Sequence, residues 1–502
     1  MYVRKKLNKS GVVSIQVIAK IKGKSKLIKT IGSSKNKNRI KELEKQAYQY
    51  IHSYGGQGSI DFTNNIDLYE KILNNIYEHK EVGTEFLLGK IFDEIEFDKL
   101  NNNTFKHLVL ARLVYPASKL KTSDYLTKYK DLDIPVQQLY RYLDKLYNDF
   151  KDQIQQISYE HTLKILDGKI SVVFYDVTTL YFQIDSEDEI RKRGFSKEGK
   201  HQNPQIVLGL LVSIDGYPLA YEIFEGNKFE GHTMLPIIDK FKEKYNLDRL
   251  VVIADSGLLS NQNITELQKK GYEFILGSRI KNEKQDIKDK ILSLNLKNGE
   301  SDVIKKQDSL NIIISYSDKR AKKDKYNRER GLKRLEKQIK TGKLTKSNIN
   351  KRGYNKYLKM NGDISISINM DKYNQDAEWD GLKGYITNTD LSKDEIIENY
   401  GHLWKIEKAF RISKHDLKIR PIYHRLQRRI EAHITINFVA YKVYKELERQ
   451  LKEKKADISP EKAIDIAKTI YQIKARIDDK IITRTLLLND EQRHLAQLFN
   501  FG

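Results

Sequence analysis

The chain has no cysteine among its 502 residues, so it can build no disulfide framework, no thiolate zinc site and no cysteine nucleophile. Several classes of DNA-binding and hydrolytic protein are thereby excluded. No apolar run approaches the roughly 20 residues of a membrane-spanning helix. The opening Met1-Tyr2-Val3-Arg4-Lys5-Lys6 lacks the apolar stretch of a secretion signal. The expectation is a soluble, cytoplasmic protein. The sequence also lacks a GxxxxGK[ST] phosphate loop and an HExxH pair, which leaves ATP-driven chemistry and zinc proteolysis unsupported. Tryptophan occurs only twice, at 379 and 404; core packing is expected for both, ahead of stacking on an extruded base.

Positive charge is abundant. Lysine and arginine number 91 against 68 acids, a formal net charge of +23, and such a balance favours polyanionic partners, nucleic acid first. Part of the excess accompanies frequent Asn and Ile, as A+T-rich coding would produce. At roughly 100 to 200 residues per domain, the length suggests about three domains.

Along the chain, residues 1–83 read as a basic α+β module. Three short strands at about 2–6, 12–21 and 25–31 are parted by Lys9-Ser10-Gly11 and Lys22-Gly23-Lys24, and a helix follows at about 36–53. Residues 84–168 read as helical. Within them Ser118–Tyr129 and Val136–Tyr147 form a candidate helix-turn-helix-like pair, a pattern that a plain bundle also produces. From Lys169 the texture turns to strand, strand, strand, helix, strand, helix, strand, with a hairpin turn at Asp215-Gly216 and a helix at Met234–Tyr245. Residues 281–376 interrupt this order and read as a β-containing insertion with a basic helix over Lys319–Lys340. The α/β pattern resumes over 377–424 with one long helix from about Lys393 to Lys414, and 425–502 reads as helical. The fold class is α/β.

Chemistry enters through carboxylates. Asp176 lies inside an apolar strand, where a lone ionised group is costly and calls for a metal ion or a basic side chain. Asp255 closes a second apolar strand, Leu250–Ala254, at the carboxyl end where α/β sheets collect ligands; capping a turn is the alternative. Tyr400, Glu407 and Lys414 are spaced seven apart, about two helical turns, so one helix face offers a phenol, a carboxylate and an ammonium. Three hard oxygen ligands suit paired magnesium ions, which can stabilise both the attacking and the leaving oxygen of a phosphoryl displacement.

The segments Tyr175–Phe182, Ile253–Gly257 and Tyr400–Lys414, followed by Asp416–His424, resemble bacterial insertion-sequence transposases of the DDE type, within the IS-four-like superfamily. The resemblance implies an RNase H-like catalytic core formed by 169–280 and 377–424, with the β-containing insertion between the second Asp and the Glu. It implies that Asp176, Asp255 and Glu407 are the catalytic, metal-binding triad for two Mg²⁺, for which Mn²⁺ can substitute. Tyr400 and Lys414 would contact DNA phosphates. The implied partners are double-stranded DNA, as terminal inverted repeats and target, and a second copy of the chain in a synaptic homodimer. The family signature, Tyr-x2-Arg-x3-Glu-x6-Lys, is met at Tyr400, Glu407 and Lys414, while Leu403 stands in place of the Arg. The expected function is metal-dependent DNA cleavage and strand transfer. A non-cutting DNA-binding relic or repressor and a metal-dependent structure-specific nuclease are the alternatives.

Overall fold

In a computed structural model, the described residues are 1–21, 24–53, 70, 73–196, 199–247, 249–258, 260–307, 309–344, 346–350, 353–361, 365–477 and 480–502. They fall into two compact units, one of residues 1–79 with 473–484 and one of 80–472 with 485–502. In the first, strands β1 (Tyr2–Leu7), β2 (Val13–Ile21) and β3 (Lys24–Ser34) form an antiparallel meander, and helix α1 (Lys37–Ser53) packs on it. Alternation builds this module: Ile15 and Val17 of β2 meet Leu43 and Ala47 of α1, while the lysines of β3 face outward. The expected turn residues Lys22 and Gly23 lie outside the described residues.

Strand β4 (Ile76–Glu81) crosses from the smaller unit into the larger one, which opens with a helical run. Its members are α2 (Lys90–Glu94), α3 (Asn103–Val114), α4 (Lys119–Lys130), α5 (Val136–Asp149) and α6 (Lys151–Ile165). Asn102 and Ser118 cap α3 and α4 by accepting from backbone amides of the first turn. Next come β5 (Val172–Tyr181), β6 (Gln205–Ser213), β7 (Pro218–Glu225), α7 (Met234–Tyr245), β8 (Val251–Ala254), α8 (Asn261–Lys269) and β9 (Glu273–Ser278), in the expected order. Helix α9 (Gln285–Ser293), strands β10 (Ser301–Gln307) and β11 (Leu310–Tyr316) and helix α10 (Asp318–Lys340) follow, then β12 (Leu358–Asn361), β13 (Ser365–Ile368), α11 (Met370–Ala377) and β14 (Leu382–Thr387). Ile364, expected to start the alternating strand, lies outside the described residues.

Eight strands make one mixed sheet in the order β10-β11-β14-β9-β8-β5-β6-β7. β5, β8 and β9 are parallel neighbours, and the remaining pairs are antiparallel. β10 and β11, from the segment read as an insertion, extend this sheet beyond β14, because Ile312, Ile313 and Ile314 complete its apolar faces. One face is covered by α7, α8 and α9 through Ile237, Phe241, Leu267 and Ile291.

The opposite face is covered by helices late in the chain, α12 (Lys393–Gly401), α13 (Trp404–His415) and α14 (Gln427–Glu453), with α15 (Pro460–Ala467) packed on α14. The single helix expected from Lys393 to Lys414 is therefore two. Gly401 ends α12, and through His402 (φ −82°, ψ −3°) and Leu403 the chain stays right-handed but tightens to three-residue hydrogen bonds, with Leu403 N–H donating to the Tyr400 carbonyl at 3.0 Å, before α13 begins and Leu403 turns into the core. Helix α14 is about 40 Å long at 1.5 Å per residue and is buried nearly all round, which makes it the spine of the helical layer. Residues 425–502 are not wholly helical, since β15 (Tyr471–Ile477) and β16 (Lys480–Leu486) precede α16 (Asp490–Phe499). There β-branched residues alternate with charged ones, a strand pattern. No helix among the described residues is long and apolar enough to cross a membrane.

Candidate active site

β5 and β8 are parallel and in register from Val172 opposite Val251 to Tyr175 opposite Ala254. One residue further along each chain stand Asp176 and Asp255, on strands spaced about 4.8 Å apart. Side chains alternate faces, so Asp176 belongs with Phe174, and Phe174 and Ile253 pack in the same core as Ile406 and Phe410 of α13. That helix lies across β5 and β6. The backbone thus brings the Glu407 helix onto the face to which Asp176 belongs.

The side chains converge less completely. A cleft of about 390 Å³ is lined by Asp255, Tyr400 and Glu407, with Arg320 and Lys383 among its other walls. Asp176 does not line it; one of its carboxylate oxygens accepts from the amide of Val177 at 2.7 Å. Lys414, in the last turn of α13, is also outside the lining. Among the described residues, no three His, Asp or Glu side chains are gathered closely enough to hold a metal ion. The structure pairs Asp176 with Asp255 by register and Asp255 with Glu407 by cleft, without closing the three into one cluster.

Tyr400 organises the cleft. Its hydroxyl donates to Asp255 Oδ1 at 3.3 Å, and Gly277 of β9 makes room for it, since a Cβ there would collide with the phenol oxygen. Burial, reinforced by the nearby Asp255 and Glu407 charges, pushes the phenol well above its ordinary pKa and keeps it a donor. Lys383 Nζ sits 4.4 Å from the centre of the Tyr400 ring. Burial and then Arg320 lower the Lys383 pKa, against the opposing pull of Asp255 and Glu407.

One expectation needs correcting. Trp404 is 53% exposed and lines the cleft, because the break before α13 turns the first residue of that helix outward; it is not a core residue. Trp379 is half-buried against the sheet. Leu403, in the place of the family arginine, is buried and packed in the core. Three neighbouring cations, Lys405, Lys408 and Arg411, are candidates to replace that arginine; none lines the cleft, and Lys405 donates to the Ile214 carbonyl at 2.6 Å while Lys408 pairs with Glu448.

The cations that do reach the cleft, Arg320 and Lys383, were not singled out in the sequence. Arg320 belongs to the expected basic helix, now α10, whose first turn points at the site. Lys383 is an isolated lysine in β14 and gave no signal. A second cavity, of about 470 Å³, shares Ser278, Arg320, Lys383 and Gly384 with the cleft and continues beneath α10.

Comparison with known proteins adds the following. No curated protein matches the chain. The piggyBac transposase synaptic complex with hairpin DNA, solved by cryo-EM, is similar at 9% identity and a TM-score of 0.38, over 77% of this chain and 76% of that one. The Mos1 transposase paired-end complex with the left transposon end is similar at 10% identity and a TM-score of 0.16, over 46% of this chain and 71% of that one. The sequence profile of the transposase DDE domain matches residues 167–442, more than half of the chain and the whole span from β5 through the Glu407 helix, so the chain belongs to the DDE transposase family.

Proposed function

We propose that the chain cleaves the ends of its own mobile element and joins them to target DNA, with Asp176, Asp255 and Glu407 as the acidic groups of an RNase H-like core. One observation carries this reading: Asp255 and Glu407 share a cleft that also holds Arg320 and Lys383, and Asp176 stands beside Asp255 in register. A phosphodiester in that cleft meets both carboxylates and cations.

The donor set fits a divalent ion, because all three candidate ligands are carboxylates and such hard oxygens suit Mg²⁺ or Mn²⁺. When bound, two such ions supply charge stabilisation for the attacking and leaving oxygens of an in-line displacement. Asp176, Asp255 and Glu407 would hold them.

The protein's own groups do the positioning. Lys383 and Arg320 bind non-bridging phosphate oxygens, and the buried, protonated Tyr400 fixes the Asp255 carboxylate by its hydrogen bond. The broken helix lets Tyr400 enter from α12 and Glu407 from α13, with Leu403 as the apolar hinge between them. Arg320 takes the phosphate contact that the missing family arginine would have made. Lys414 contacts a phosphate farther along the strand. The segments 1–83 and 84–168 bind the terminal inverted repeats, 281–376 is the insertion that brings Arg320 to the site, and the helices of 425–472 support the core. Two copies bring two ends together.

The test incubates the full chain with Mg²⁺ or Mn²⁺ and a labelled duplex ending in the element's terminal repeats. Wild type is compared with Glu407→Gln, Asp255→Asn and Arg320→Ala. Cleavage at the boundary with joined products is expected, lowered by roughly 10²- to 10³-fold or more in the carboxylate variants and about tenfold or more in Arg320→Ala. Binding without cleavage would identify a non-cutting relic, and cutting indifferent to the repeats would identify a nuclease.

A further inference from the structure

A second polar cavity lies away from the carboxylate cleft, where α3 and the start of α4 meet the segment between α13 and α14. It has a volume of about 450 Å³, and its lining includes Arg112, Lys119, Lys418, Arg420, His424 and His433. No carboxylate lines it. Arg112 is 5% exposed and Lys119 4%, so both side chains are removed from bulk water and face little beyond the cavity itself.

Their partners do not account for that burial. Arg112 donates to the Leu417 carbonyl at 3.4 Å and approaches His433 Nδ1 at 3.5 Å, both long contacts. His433 Nε2 lies 2.9 Å from the Ile419 carbonyl. The proton therefore sits on Nε2, which leaves Nδ1 as an acceptor towards Arg112. The ammonium of Lys119 has no hydrogen-bond or ion-pair partner among the described residues. The charged group acting on it most strongly is Arg112, another cation. The charges acting on His424 are likewise cationic, Lys119, Arg112 and Arg429. Arg429 differs in being answered, by a two-pronged pair with Asp144 at 2.9 Å. A buried cation without counter-charge is costly and is rarely retained for packing alone.

We propose that this pocket is a phosphate-binding site, with Lys119 and Arg112 as its buried cations. A dianion or diester oxygen placed between them supplies the acceptors that the protein withholds. Ser118 caps α4 here, so the free amides of that helix's first turn add partial positive charge. The cavity has room for a phosphate together with part of the nucleotide that carries it.

Its position suits a nucleic-acid strand. Ile422 bridges to Phe182 just beyond β5, six residues past Asp176 on the same chain, or roughly 20 Å at about 3.3 Å per residue. A backbone running past Asp176 in that direction could set a phosphate in the pocket. The shared chemistry also admits a free phosphate or a nucleotide. The site is independent of the carboxylate reading and needs no cleavage to be tested.

The experiment uses the full chain in phosphate-free buffer, as wild type, Lys119→Met, Arg112→Gln and Lys119→Arg. One arm adds millimolar inorganic phosphate and follows the thermal midpoint. The other measures the affinity of a short duplex of arbitrary sequence over a salt series. The expected result is a rise of several degrees with phosphate in wild type, lost in Lys119→Met and Arg112→Gln and kept in Lys119→Arg. In the duplex arm, affinity should fall about tenfold in Lys119→Met with a shallower salt slope. A loss in the duplex arm, with or without one in the phosphate arm, assigns the pocket to backbone phosphate. A loss in the phosphate arm alone assigns it to a free phosphate compound. A loss in neither arm overturns the proposal.

Discussion

Two lysines of the larger unit are almost equally buried and are treated in opposite ways. Lys442, in the middle of α14, is fully buried. It donates to the Ser158 carbonyl at 2.9 Å and to Thr162 Oγ1 at 2.5 Å, lies over the Tyr217 ring at 4.4 Å, and has Glu446 one turn away. Lys119 has comparable burial and none of these partners. Burial pushes both ammonium groups well below their ordinary pKa, but Glu446 opposes the shift at Lys442 while Arg112 deepens it at Lys119. A buried cation with its donors used is part of the scaffold; one with its donors idle marks a place prepared for something else.

The contrast breaks first at Glu446, where the largest effect is expected. This carboxylate accepts from Tyr217 at 2.7 Å, from Arg449 at 2.6 Å and from Gln450 at 3.0 Å. Burial raises its pKa, but these hydrogen bonds outweigh that and hold it below the ordinary value. Glu446→Leu leaves the buried Lys442 without its neighbouring carboxylate, the Tyr217 hydroxyl without its acceptor and Arg449 with Glu453 alone, and unfolding in urea should show a loss of about 3–5 kcal/mol. A loss below about 1 kcal/mol would mean that the network on α14 is not structural.

Acid comes next, and here both regions respond. Burial lowers His161 in the Glu446 network and His424 in the cationic pocket to about 3. Lys442, Arg449 and Lys164 add to the shift at His161 and Glu446 opposes it, whereas Lys119, Arg112 and Arg429 all add to it at His424. Below the ordinary histidine value of about 6.5 the unfolded chain takes up protons that the folded chain refuses. Stability therefore falls as pH drops from about 6.5 towards about 3 and levels off once both states are protonated. Each histidine should cost about 2 kcal/mol between pH 7 and pH 5. His161→Gln and His424→Gln should each remove that much of the slope, and phosphate at pH 5 should relieve the His424 share alone.

Lys442→Met is the third test. It leaves the Ser158 carbonyl with Thr162 as a remaining donor and should cost about 1–2 kcal/mol in urea unfolding, because a lost hydrogen bond is partly offset by relief from burying an amine.

How much of this could be read in the sequence follows from which interactions are local. The strands Val172–Tyr181 and Gln205–Ser213 and the helix Met234–Tyr245 were legible because β-branched runs, a hairpin turn and helical spacing are properties of neighbouring residues. Asp176 and Asp255 stood out as carboxylates in apolar strands, and their register then follows from the parallel sheet. The break at His402 was not legible, since seven-residue spacing is the same for one helix or for two in succession, and only the burial of Leu403 decides between them. Arg320 and Lys383 reach the cleft through contacts across more than 60 residues of chain, from α10 to β14 and on to α12. β10 and β11 were read as insertion because their order in the chain does not reveal that β11 pairs with β14. The partnerless state of Lys119 is a three-dimensional fact with no trace in spacing.

The smallest expected effect is the sharpest test of the contrast. Lys119→Met removes an amine that contributes no hydrogen bond and whose strongest charged neighbour repels it. The replacement has a similar length and an apolar body that suits the same packing. In phosphate-free buffer at pH 7 the variant should therefore match wild type within about 1 kcal/mol, or exceed it, since removal of an uncompensated buried charge is favourable. Saturating phosphate should reverse the ranking, because only wild type gains from the ligand. If Lys119→Met instead lost as much stability as Lys442→Met with no phosphate present, the two lysines would be scaffold alike, and the idle ammonium would owe its place to packing of its four-carbon stem.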